Sequence, residues 1–145
     1  MIETSCYQLA QRFVGLAEVP GGVANPAVLA MLRLDGADVQ DDETSWCSAF
    51  ANYITWLLRL PRSKSLAARS WLSVGVPMDI GDAKAENDVV IFWRGQATGW
   101  QGHVGFFAGF NKATGQVLVL GGNQGDHVTV APMPVDRLLG IRRLA

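Results

Sequence analysis

The hydrophobic pattern of this chain changes period partway along. Up to Gly75, apolar residues return at three- and four-residue spacing, which places them on one face of successive helices. After Pro77 they come in short β-branched and aromatic runs divided by glycine-rich turns, the pattern of strands joined by tight connections. Helices first and a meander of strands afterwards predicts an α+β architecture, with N-terminal helices packed on a C-terminal antiparallel β-sheet.

The spacing predicts a first helix over 5–18, with Cys6, Leu9, Ala10, Phe13 and Ala17 in one stripe, stopped by Pro20-Gly21-Gly22. Asn25-Pro26 opens a second, to about Leu34. A third starts at Cys47, carries Phe50, Ala51, Ile54 and Leu58 inward, and closes before Pro61. Ser63 or Ser65 caps a fourth over 66–74. Strands follow over 89–93, 103–110, 116–120 and 127–131, the last broken by Pro132 and Pro134. Leu139-Gly140-Ile141-Arg142 supplies a short final strand. With 145 residues and no internal repeat or low-complexity linker, the whole chain, 1–145, reads as one domain.

A hydrophobic fraction of 49% with 17% charged residues fits a packed core and argues against disorder. The net charge of -1 carries no footprint for nucleic acid, and no apolar run reaches membrane-spanning length. Met1-Ile2-Glu3-Thr4-Ser5 lacks the basic start and apolar segment of a secretory signal, so the expectation is synthesis in the cytoplasm and delivery by another route if the target lies outside it. Two cysteines make no disulfide framework, and two distant histidines make no zinc signature. No metal and no organic cofactor is expected.

Chemistry concentrates at Ser45-Trp46-Cys47-Ser48-Ala49-Phe50, where a polar run turns into an apolar-periodic helix. A helix N-terminus presents unpaired N–H groups and the positive end of the macrodipole, which favour thiolate. Cys47 is thus a candidate nucleophile. His103 opens a strand whose one face reads His103, Gly105, Phe107, Gly109, and the other Val104, Phe106, Ala108, Phe110. The second face is apolar and reads as core; the glycine-spaced face leaves clearance beside the imidazole for a helix end or a substrate. The next strand ends in Gly121-Gly122-Asn123-Gln124, and its hairpin brings that end alongside His103. Asn123 first, and Gln124 second, is the residue to accept the imidazole N–H and fix its tautomer.

Other residues have plainer readings. Cys6 sits in an apolar stripe and reads as core, as do Trp56 and Trp71. His127 follows a turn and reads as a rim residue. Trp46, Trp93 and Trp100 cluster around the proposed site as lining for a sugar or peptide. Arg94 suits a carboxylate of the substrate. Asp42 and Glu43 suit a substrate amine, against the plainer reading of helix-capping carboxylates. Residues 95–102 suit a mobile rim of the cleft.

Taken together, Trp46-Cys47-Ser48-Ala49-Phe50, Asp88-Val89-Val90-Ile91-Phe92, Gly102-His103-Val104-Gly105 and Gly121-Gly122-Asn123-Gln124 resemble the NlpC/P60 and CHAP superfamily of papain-like cysteine peptidases and amidases, in its small bacterial and phage forms. The likeness runs over nearly the whole chain. It implies Cys47 as nucleophile, His103 as base and Asn123 as the polar third member, a place that varies in the superfamily between acidic and amide residues. It also implies hydrolysis of an amide bond in peptidoglycan or its stem peptides, at the cell wall after release through a holin or a secretion apparatus. An immunity or delivery protein would then be a partner. Acyl transfer, protein-directed cleavage or deamidation, and a non-catalytic wall-binding module are the alternatives.

Overall fold

The computed structural model describes residues 3–19, 25–37 and 45–145. Ser5 starts the first helix, α1 (Cys6–Gln11), through a capping box: its Oγ accepts from Gln8 N at 3.2 Å and its N donates to Gln8 Oε1 at 3.0 Å. The helix is shorter than the 5–18 expected. After Gln11 the chain turns, Gly15 takes φ +99°, and its N–H donates to Val128 O. Val128 N returns a bond to Leu16 O, and Ala17 bridges His127. Pairing with a distant strand thus overrides helical propensity there.

Asn25 caps α2 (Pro26–Leu32), with proline at its first position as expected. The third helix, α3 (Cys47–Leu57), ends earlier than Pro61, because Arg59 takes a left-handed conformation. The fourth expected helix is a 3₁₀ helix, Ala68–Ser73.

Six strands follow: β1 (Val76–Met78), β2 (Asp88–Trp93), β3 (Gly102–Asn111), β4 (Gln116–Gln124), β5 (His127–Pro134) and β6 (Leu138–Arg143). They form one antiparallel sheet in the order β1-β6-β2-β3-β4-β5. β1 was not foreseen, and β5 runs on through both prolines. Each is an edge strand, where a missing N–H costs no ladder bond.

Both faces of the sheet are packed. Trp46, Phe50, Ile54 and Trp71 meet Val89, Ile91, Val104, Phe106 and Leu120 under the helices. Val90, Phe92, Phe107, Val117, Val119 and Ile141 fill the opposite face. This corrects the reading of β3 as having an open face. A side chain at Gly105 would overlap Val119 and the carbonyl of Leu120, so that glycine lets β4 approach rather than leaving room for substrate. A register shift between Phe107 and Gly109 (φ +149°) then carries Phe110 to the Phe107 side.

Candidate active site

Cys47 is the first residue of α3, and α3 is pressed hard against β4. A Cβ at Gly122 would lie 2.8 Å from Phe50 Cβ and from the Trp46 ring, so only glycine permits this approach. Edge-to-face contacts of Phe50 with Phe106 (6.3 Å) and Phe13 (6.0 Å) hold the helix down. Trp46 is fully buried, and its Nε1 donates to Glu18 Oε2 at 3.1 Å. It anchors the helix start and does not line a groove, contrary to expectation.

His103 opens β3 and is 1% exposed; Cys47 is 3% exposed. The residue on His103 is Gln124, whose Oε1 is 2.8 Å from Nε2. Asn123 turns away and donates from Nδ2 to Ser45 Oγ at 3.2 Å. Simple continuation of the β3–β4 register past Phe106↔Leu120 would put Asn123 opposite His103. The β4–β5 pairing instead shifts between Gly121 and Gln124, and Asn123 sits in the left-handed region at φ 57°. That bulge rotates the following residue onto the imidazole. Asn123, the first choice as orienter, is corrected to Gln124 on this geometry.

The amide of Gln124 has only one workable orientation. Its Nε2 donates to Val119 O (3.1 Å), Thr129 O (2.9 Å) and Thr129 Oγ1 (3.2 Å), which leaves Oε1 to face the ring. An amide oxygen cannot donate, so His103 must carry a proton on Nε2. In the neutral ring the free lone pair is then at Nδ1, where Arg94 Nη2 approaches to 3.3 Å.

Burial pushes the Cys47 thiol up. A hydrogen bond to His103, that ring's charge, a backbone hydrogen bond at Val104 and the charge of Arg94 together outweigh it, bringing the thiol from an ordinary 9.0 to about 7. Burial drives Cys6 the other way, to about 12, despite a smaller backbone contribution. The two thiols are therefore shifted to opposite sides of the ordinary value.

Access to Cys47 is through a cleft of about 300 Å³. Leu66, Ala67 and Ala68 form one wall, Arg94 and residues 100–102 the other, with Ser45 beside the thiol. A buried polar network fixes the first wall. Ser48 Oγ donates to Ser65 O (2.6 Å) and accepts from Trp71 Nε1 (2.9 Å). Asn52 Nδ2 donates to Ser48 O and Ser65 O, each at 3.1 Å, while its Oδ1 accepts from Lys64 N at 2.9 Å.

Arg69 fixes the second wall. Its Nε and Nη2 donate to Gln101 O (2.9 and 2.7 Å), Nη1 to Ala97 O (2.8 Å) and Nη2 to Gln96 O (2.8 Å). The loop read as a mobile rim is thus tied down by one guanidinium. Sequence reading missed Ser48, Asn52 and Arg69. Two polar residues four apart on a largely apolar helix were a signal for the first two.

Of the other expected lining residues, Trp100 stands on the rim, 79% exposed, and Arg94 lines the cleft. Trp93 lies outside it, under the guanidinium of Arg137 at 4.9 Å. Asp42 and Glu43 fall outside the described residues. His127 is exposed, with Nδ1 2.5 Å from Gly125 O. Among the described residues, no three His, Cys, Asp or Glu side chains group as metal ligands, and no helix is long and apolar enough to cross a membrane.

No protein-family model matches the chain, and no curated protein matches it significantly. Solved structures that share its fold include two NlpC proteins. NlpC1 from Trichomonas vaginalis aligns with a TM-score of 0.56 and 18% identity, over 96% of this chain and 42% of that one. An NlpC/P60 family protein from Bacillus cereus aligns with a TM-score of 0.55 and 18% identity, over 97% and 39%. The chain thus spans about two fifths of either protein. It has the papain-like fold of NlpC/P60 proteins, with Cys47, His103 and Gln124 in line beside its cleft.

Proposed function

We propose that the chain is a cysteine amidase or endopeptidase that cuts an amide bond in peptidoglycan. The observation that carries the reading is the Cys47–His103–Gln124 alignment, in which a buried amide dictates the tautomer of a base bonded to a helix-end thiol. His103 Nδ1 takes the Cys47 proton, and the thiolate adds to the scissile carbonyl carbon. The C=O electron pair moves to oxygen, held in part by the Cys47 N–H. Collapse breaks the C–N bond, with the Nδ1 proton passing to the leaving amine. Water, losing a proton to His103, then adds to the thioester and releases the acid and Cys47.

Peptidoglycan as the substrate rests on the motif resemblance and the shared fold. The same reading puts the work at the bacterial cell wall, after release by a holin or secretion system, with an immunity or delivery protein as the partner class. The test is digestion of purified sacculi by the protein and by Cys47→Ser, with mass spectrometry of the soluble fragments. New amino termini or free stem peptides only with the unsubstituted protein support the proposal. Identical fragments from both would remove peptidoglycan hydrolysis, and with a reactive Cys47 would favour acyl transfer.

A further inference from the structure

Arg94 has two addresses. Its Nη2 is 3.3 Å from His103 Nδ1, and the residue lines the cleft that leads to Cys47. Among the described residues, no carboxylate lies in salt-bridge contact with it. The first address is open to Arg94 only while Nδ1 is bare. Because Gln124 requires the proton on Nε2, a ring that takes the thiol proton at Nδ1 has no lone pair left to accept. A guanidinium is always charged and always a donor, so it must then find another acceptor. Its backbone cannot follow, since Arg94 N donates to Gln101 O, the carbonyl that Arg69 holds. Any relocation is therefore left to the side chain, and the cleft it lines is the space beside it.

We propose that Arg94 recognises a carboxylate on the acyl part of the substrate, and reaches it by leaving His103 Nδ1 when the ring takes the Cys47 proton. This rests on the reading of Cys47 and His103 as nucleophile and base. Anion recognition and proton transfer become linked: each makes the other easier. The substrate class narrows to acyl groups with a carboxylate within one arginine side chain of the scissile carbonyl, matched by the two-pronged guanidinium.

Two alkylating agents of nearly equal size test this, neutral iodoacetamide and anionic iodoacetate. In both, the Cys47 sulfur displaces iodide, forming C–S and breaking C–I, while the thiol proton passes to His103. Rates at Cys47 are read by peptide mass spectrometry over about two pH units either side of neutrality. Among the described residues, the charged groups acting on the thiol are His103 and Arg94.

Relative to a free thiol such as glutathione, Cys47 should favour iodoacetate by on the order of ten-fold. Arg94→Gln should abolish that preference and move the Cys47 profile to higher pH, whereas Arg94→Lys should keep a smaller preference. A glutathione-like ratio in the unsubstituted protein, or a preference unchanged in Arg94→Gln, overturns the role of Arg94 while leaving the nucleophile in place. Cys47 reacting as an ordinary thiol with both reagents overturns the nucleophile as well.

Discussion

At the scale of single residues, the two cysteines make an internal comparison. Cys47 is brought to about 7 while burial holds Cys6 at about 12. Native-state labelling by iodoacetamide should therefore reach half its maximum near pH 7 at Cys47 and leave Cys6 unmodified until the protein unfolds. The sign follows from thiolate being the nucleophile: as pH falls through the folded value, the rate drops.

The neighbours Asn123 and Gln124 make a second comparison. Gln124→Ala removes the oxygen that fixes the His103 tautomer, so turnover should fall on the order of a hundred-fold or more. It also strips Val119 O and Thr129 O of a donor, costing about 1–3 kcal/mol of stability. Asn123→Gly suits the left-handed backbone and loses one hydrogen bond to Ser45, so activity should stay within a few-fold. Equal losses at both positions in a kinetic assay would mean that the bulge, rather than the amide on His103, is what matters.

At the scale of elements, the helix carrying Cys47 and the strand carrying Gln124 are set by one close approach. Gly122→Ala puts a methyl where Phe50 and Trp46 already are, so urea unfolding should show a loss of about 1–3 kcal/mol. The displaced helix start should also slow labelling at Cys47. Much of this layer was legible: a thiol at a helix head, a histidine at a strand start and a hairpin returning beside it all follow from periodicity. The bulge was not, because one extra residue in Gly121-Gly122-Asn123-Gln124 is settled by β5 and by the buried donors of Gln124 rather than by local preference. Nor was the burial of Trp46, which depends on Glu18 and on a glycine far away in sequence. The clamp by Arg69 acts wholly on carbonyls, about thirty residues distant, and side-chain patterns carry no trace of such contacts.

Over the whole molecule, the first and last elements meet on one turn. Asn87 Oδ1 accepts from Cys6 N at 2.9 Å, its backbone carbonyl accepts from Leu144 N at 2.9 Å, and Glu86 O accepts from Tyr7 N at 3.0 Å. Beside them Arg143 pairs with buried Asp88 at 2.8 Å. Asn87→Ala leaves the helix start of α1 without its acceptor, so thermal unfolding should move down by a loss of about 1–2 kcal/mol. Because the turn joins the helices to the sheet, the loss should appear as an earlier single transition by circular dichroism. A separate early transition of the helices would contradict that coupling.

The way Arg69 grips its loop has a consequence for how such a cleft can diverge. All four of its bonds end on backbone oxygens, of Gln96, Ala97 and Gln101. The wall's position is therefore independent of which side chains it displays, Trp100 at its crest included. Sequence drift, or deliberate library design, can rewrite residues 96–100 and so retune what the cleft accepts, with the hinge between Arg69 and those carbonyls unchanged. Scaffold and selectivity occupy the same short loop but are encoded in different atoms.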